Sequence, residues 1–271
     1  MNKFKRYFAQ LNLPRSAYKF VIKDWIALSD LDALSRVLES KHFSQNLEPL
    51  PLDHPQGKRI LVLAPHPDDD VFGAGGTLLK SIRAGAKVKT VCITSGEQKG
   101  AAEIAAVREK ETRNAAHVLK NEVEFWQYPA RTWRVEEAIE DRLRIAVAQW
   151  NPDTVFLPFL ADDHEDHRRT SELLDQAFKD ASPSCEIWAY QVYSTVLPNV
   201  IVDITDVMEE KLRLVAMHKS QMAHRDWVHY ISGLNAFNSR FLKTRERRWA
   251  EMFFVVPAEE YIDLCRRYFG D

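Results

Sequence analysis

From Lys58 onward the chain alternates short apolar runs with longer amphipathic stretches, and this alternation constrains the fold more than any other feature. Ile60–Ala64 reads ILVLA, a continuous apolar run of the kind found in strands buried on both faces. Further strands are expected at 88–93, 123–126, 154–157, 187–192 and 252–256. Helices are expected at 75–83, 101–120, 135–150, 208–222 and 258–268. Strand–helix alternation on this scale predicts an α/β fold: a Rossmann-like, mostly parallel sheet with helices on both faces. Residues 58–271 are expected to form that domain.

Residues 1–57 differ. Lys3, Lys5, Arg6, Arg15, Lys19 and Lys23 all precede the first acid, Asp24. Two helical stretches, 16–28 and 30–40, lead to Pro49, Pro51, Pro55 and Gly57, so we expect a helical N-terminal extension and an irregular linker. Its basic face is either a solvated helix surface or a membrane-surface or partner contact. No clean apolar stretch follows the first basic residues, and the uncharged run from Ile187 to Val202 is shorter than the roughly 20 apolar residues of a membrane span. The cytoplasm is therefore the expected location. With 37 basic and 39 acidic residues the formal charge is −2, unlike a dedicated nucleic-acid binder. Cys92, Cys185 and Cys265 are far apart and form no CxxC pair, so neither a disulfide framework nor a thiolate zinc site is indicated.

Two motifs carry the chemistry. After the first strand comes Pro65-His66-Pro67-Asp68-Asp69-Asp70, followed by Val71-Phe72-Gly73-Ala74-Gly75-Gly76-Thr77. Three adjacent carboxylates repel one another unless a cation neutralises them. In an open α/β sheet they would emerge at the carboxyl ends of strands, where ligands bind. The glycines fit neither the GxGxxG nor the Walker pattern. An Asp-x-Asp pair also suits a metal-dependent glycosyltransferase, but His66 suits zinc better than magnesium. The second motif, Asp162-Asp163-His164-Glu165-Asp166-His167, follows the fourth strand and can share the same rim. His164 and His167, three apart, project to one side of a helical turn. Asp166 could orient a ring nitrogen, as bound or catalytic imidazoles require. Together the motifs supply three ligands for one zinc ion, an open position, and a spare carboxylate and imidazole.

These residues resemble the PIG-L/LmbE-like family of zinc-dependent N-acetylglucosaminyl deacetylases, whose motifs are (A/P)HPDDE and HPDH. Weaker likenesses follow in family order: Thr94-Ser95-Gly96-Glu97 with Arg108 and Glu111, Pro152-Asp153-Thr154-Val155, Lys211 with His218-Lys219-Ser220-Gln221, and Ala250-Glu251-Met252-Phe253. The resemblance spans about 58–256. It implies that His66, Asp69 and His167 bind zinc and that Asp68 is the general base acting on a metal-activated water. It further implies that His164 stabilises the oxyanion with its tautomer held by Asp166, and that Arg108 touches substrate. The substrate would be a small amino sugar or glycoconjugate losing its N-acetyl group. A non-catalytic metal-binding homologue is the remaining alternative. Asp70 stands where the family carries Glu, and Pro129-Ala130-Arg131 where many members have Pro-Asp-Gly; the segment 128–134 is expected to border the sugar pocket.

Overall fold

The structure is a computed structural model and describes residues 49–96, 102–223 and 225–270. The two expected N-terminal helices and the basic face lie outside the described residues. Eight strands form one sheet in the order β1 (Leu50–Leu52), β7 (Val200–Asp203), β8 (Ala250–Pro257), β6 (Glu186–Tyr190), β5 (Thr154–Pro158), β2 (Arg59–Ala64), β3 (Lys87–Thr94), β4 (Glu122–Tyr128). Neighbours are parallel except β8, which runs antiparallel to both β6 and β7. The expected α/β sheet is thus present.

Around it lie α1 (Asp69–Arg83), α2 (Ala102–Leu119), α3 (Glu137–Trp150), α4 (Glu165–Ala177), α5 (Met208–Val215), the single turn α6 (Lys219–Met222), α7 (Trp227–Asn238) and α8 (Ala258–Phe269). Strand alternation divides the core between two faces. Leu61 and Leu63 of β2 pack with Leu143 of α3, Leu173 of α4 and Tyr261 of α8. Ile60 and Val62 face the other way, with Phe72 of α1, Leu119 of α2, Leu214 of α5 and Ile231 of α7. Burial of both faces explains why β2 is a continuous apolar run. Among the described residues no helix is long and apolar enough to cross a membrane.

The structure departs from the sequence expectations in four places. Helix α1 begins at Asp69, not at Gly75, because the Asp68 carbonyl accepts from Phe72 N at 2.9 Å and Asp69 and Asp70 occupy the dipole-favoured first turn. The helix expected over 208–222 is broken after Val215, and α6 follows. Residues 50–52, within the stretch read as linker, add an edge strand, where the missing N–H of Pro51 is tolerated. Strand β7 and helices α4 and α7 were not anticipated; of α4 only the turn carrying His164 and His167 was expected. Gly73 has a packing role: a Cβ there would stand 2.2 Å from a ring carbon of Tyr190.

The topology places the site. From β2 the chain winds outward through β3 to β4, then returns to β5 on the other side of β2. The carboxyl ends of β2 and β5 therefore flank the point where strand order reverses, the usual ligand crevice of an open α/β sheet. His66 follows the first of these strands and His164 the second.

Candidate active site

His66 sits in the turn between β2 and α1. Its backbone N–H donates to Asp69 Oδ2 at 2.8 Å, and its Nδ1 lies 3.0 Å from the same oxygen. His167, in the first turn of α4, brings Nε2 to 3.2 Å from Asp69 Oδ2. One carboxylate oxygen therefore lies between imidazoles from two different strand ends. His164, the N-cap of α4, completes the group: ligand atoms of His66, His164 and His167 all lie within 4.8 Å of one another. Asp69 and His167 are wholly buried.

Each ring has a partner behind it. Asp166 was expected on His164, yet its Oδ2 lies 3.0 Å from His66 Nε2. The same carboxylate accepts from Arg131 N at 2.8 Å and from Arg169 Nη1 at 2.9 Å. Asp166 reaches His164 only through its backbone, whose N–H donates to His164 Nδ1 at 3.1 Å. That bond still selects a tautomer, since a ring accepting at Nδ1 carries its proton on Nε2. The reason is geometric: in the first turn of a helix the side chain two residues on projects away from the capping ring. Behind His167 stands Asp162, with Oδ1 3.1 Å from Nδ1. Asp162 Oδ1 also accepts from His164 N at 2.9 Å, so one buried carboxylate braces both histidines of the second motif. Sequence reasoning gave Asp162 no role. The signal was present, since a carboxylate five residues before a histidine and at the same strand end can fold back onto it.

Asp68 faces a cation. Arg108 Nη2 lies 3.3 Å from each Asp68 oxygen, and Nη1 donates to the Gly96 carbonyl at 2.6 Å. Gly96, at φ +75°, permits this approach, because a Cβ would lie 1.9 Å from Arg108 Nη1. Arg108 is 7% exposed, and its guanidinium holds the Asp68 carboxylate and the Gly96 carbonyl. Asp68 itself has φ 151° and ψ −24°, a conformation few residues other than glycine adopt and one that concentrates at functional sites. Asp70 turns away, accepting from Thr90 Oγ1 at 3.0 Å and Val71 N at 2.8 Å. The segment 128–134 is anchored beside the site through Arg131 N, with Trp133 buried beneath it.

Electrostatics separate the groups. Burial raises Asp68 to about 7 even though Arg108 opposes the rise. Asp69 is held well below the ordinary carboxylate range; burial would raise it, but His167 and His66 outweigh burial. Burial would lower His167, but Asp69 and Asp162 carry it up to about 10. His66 is raised in the same way by Asp69 and Asp166 against burial. His164 falls to about 3, through burial and then the charges of His66 and His167, and is neutral at pH 7.

The donor set fits a divalent transition metal. Asp69 Oδ1 and both nitrogens of His167 are buried without a hydrogen bond of acceptable geometry, although His167 lies at contact distance from two carboxylates. Buried polar atoms left in this state are rare in native proteins. The carboxylates also draw positive charge to the spot, as the raised His66 and His167 record. Imidazole and carboxylate ligands with carboxylate support behind them suit zinc.

The outer motifs serve the frame. Glu111 of α2 accepts from Ser220 N at 3.0 Å and from Ser220 Oγ at 2.7 Å, tying α2 to α6. Lys211 and Glu251, both wholly buried, pair at 2.7 Å. Glu251 also accepts from Gly76 N, Thr77 N and Thr77 Oγ1 in α1.

Fold and site together define an α/β protein with a buried histidine–carboxylate centre at the sheet's switch point. The sequence profile of the GlcNAc-PI de-N-acetylase (PIG-L) family matches residues 61–178. Diacetylchitobiose deacetylase of Thermococcus kodakarensis is 27% identical over 231 residues, covering 77% of this chain and 86% of the relative. A probable N-acetyl-alpha-D-glucosaminyl L-malate deacetylase 2 of Bacillus anthracis is 27% identical, covering 61% and 82%. Among solved structures, N,N'-diacetylchitobiose deacetylase from Pyrococcus horikoshii, complexed with its inhibitor MPG, superposes with a TM-score of 0.65 at 28% identity. It covers 76% of this chain and 86% of its own.

Proposed function

We propose that this protein is a zinc-dependent hydrolase that removes the N-acetyl group from an N-acetylated amino sugar or its glycoconjugate. The observation that carries the reading is Asp69 Oδ2 between His66 Nδ1 and His167 Nε2, with Asp68 next in the chain and held on Arg108. The relatives' deacetylase names agree with it. His66, Asp69 and His167 hold the metal. His164 is the other candidate ligand, but its neutral Nε2–H is better used as a donor. A metal held there acts as a Lewis acid and lowers the pKa of a bound water to about 7.

The chain's own residues do the rest. Asp68, raised to about 7, accepts the proton of the attacking water near neutral pH, help typically worth about 10²–10⁴-fold. Arg108 is a positioning residue that fixes the Asp68 carboxylate while burial keeps it basic. His164 donates its Nε2–H to the oxyanion that forms on the acetyl carbonyl, an interaction of ~3–4 kcal/mol when preorganised. Asp68 then returns its proton to the departing amine, because a neutral His164 would have to become imidazolate to do so. Asp162 and Asp166 hold the rings of His167 and His66.

The test is amine release from a panel of N-acetylated sugars, nucleotide sugars and sugar conjugates, with metal analysis of the same protein. We expect release that chelation abolishes and zinc restores, with about one zinc per chain. Manganese binding that depends on a nucleotide sugar, without amine release, would instead favour a glycosyltransferase.

A further inference from the structure

One buried imidazole near the site has no part in this mechanism. His218 is 1% exposed, and neither of its ring nitrogens has a hydrogen-bond partner. Its backbone is satisfied: the N–H donates to Val215 O at 3.2 Å, and the carbonyl accepts from Gln221 N at 3.0 Å to start α6. A neutral imidazole carries one donor and one acceptor, and leaving both unmet in the interior is costly. A packing role alone would be served without that cost by an apolar side chain. His218 interacts electrostatically with Arg108 and with Asp69, which puts it near the site.

His218 also ends an arc of aromatic rings that begins at the metal centre. Tyr193 lies 5.2 Å from the ring of His167 and 6.0 Å from that of His164. Trp227 meets Tyr193 at 5.8 Å and Phe72 at 5.2 Å, and Phe72 meets His218 edge-on at 6.0 Å. Phe72 is buried at the base, while Tyr193 and Trp227 remain partly exposed. Tyr230, 55% exposed and 6.0 Å from Trp227, carries the aromatic surface outward.

We infer that Tyr193, Trp227 and His218 form the subsite for the sugar ring that bears the scissile amide. In it, the two aromatic rings wall the apolar C–H face of the ring and His218 hydrogen-bonds a ring hydroxyl. A pyranose presents one apolar face and a rim of hydroxyls. An aromatic wall with one placed polar group is the matching surface. Burial, with the charge of Arg108 added, pushes His218 down to about 4, so the ring that meets the hydroxyl is neutral. Tyr230 then lies where a second ring linked to the first would rest. The inference depends on the deacetylase reading and sharpens it, since it favours an extended substrate over a free monosaccharide.

The test uses full-length, zinc-loaded protein carrying Asp68→Asn, so that bound sugar is not consumed. N-acetylglucosamine and N,N'-diacetylchitobiose are the probes, titrated calorimetrically. We expect tighter binding of the disaccharide. Adding Trp227→Ala or His218→Phe should weaken its binding about tenfold, whereas His218→Gln, which keeps hydrogen-bonding atoms, should stay within about threefold. Zinc occupancy should not change. Unaltered affinity in both Trp227→Ala and His218→Phe would overturn the subsite while amine release by the wild-type protein left the deacetylase reading intact. If His218→Phe does not fold, Trp227→Ala decides alone by the same criterion. Failure of Asp68→Asn to bind either sugar, together with no amine release by the wild type from any N-acetylated sugar, would remove both readings.

Discussion

Replacing Lys211 by Met should be among the most damaging single changes away from the histidine–carboxylate centre. Lys211 and Glu251 are wholly buried and 2.7 Å apart. All three ammonium protons of Lys211 are used, the other two on Phe72 O at 3.0 Å and Asn235 Oδ1 at 2.9 Å. Lys211→Met fills the space but leaves the Glu251 charge among three neutral donors from Gly76 and Thr77. Breaking one side of a buried pair costs about 3–5 kcal/mol. At roughly 2–4 °C per kcal/mol for a chain of this size, the melting temperature should fall by about 6–20 °C. The double variant Lys211→Met with Glu251→Gln removes the stranded charge and should recover more than half of the loss. Urea unfolding followed by tryptophan fluorescence, with all four members of the cycle, measures the coupling. A loss under about 1 kcal/mol in Lys211→Met, or a double variant as unstable as the sum of the singles, would refute the reasoning.

Three further outcomes are expected. Asp68 must be ionised to take a proton, so kcat should fall as pH drops through its pKa. That pKa is about 7 in the metal-free site and a nearby cation can only lower it, so an acid limb centred well above 7 would contradict the assignment. Asp162→Ala should weaken zinc binding about 10–100-fold in a competition titration with a chromophoric chelator, because His167 loses the carboxylate behind Nδ1. His164→Ala should keep its zinc but lose about 10²–10³-fold in kcat, as for one oxyanion donor, and equal activity to wild type would exclude that role.

Much of this was legible in the sequence because it is local. The ILVLA run could be read as a strand buried on both faces, and each histidine motif could be placed at a strand end. Chain order alone did not reveal that β2 and β5 are neighbours, and it is this pairing that makes one site of two motifs. The side-chain partner of Asp166 was hidden for a related reason. Proximity in sequence favours His164, two residues away, whereas the helix turns the carboxylate toward His66, 100 residues away. Spacing likewise did not reveal that Arg108 reaches Gly96 and Asp68. Strand β7 is four residues long at the end of an uncharged run, and α7 mixes apolar and polar residues around its circumference, so neither carries a strong periodic signal. Lys211 and Glu251 belong to separate elements and no spacing rule joins them.

The central claim is the division of labour between two adjacent carboxylates, and metal content with steady-state kinetics on Asp68→Asn and Asp69→Ala tests it directly. Asp69→Ala should arrive nearly empty of zinc and inactive. Asp68→Asn should keep near-normal zinc and a similar KM while kcat falls about 10²–10⁴-fold, because the amide preserves shape but cannot act as a base. Wild-type kcat in zinc-loaded Asp68→Asn, or full zinc occupancy in Asp69→Ala, would contradict the account.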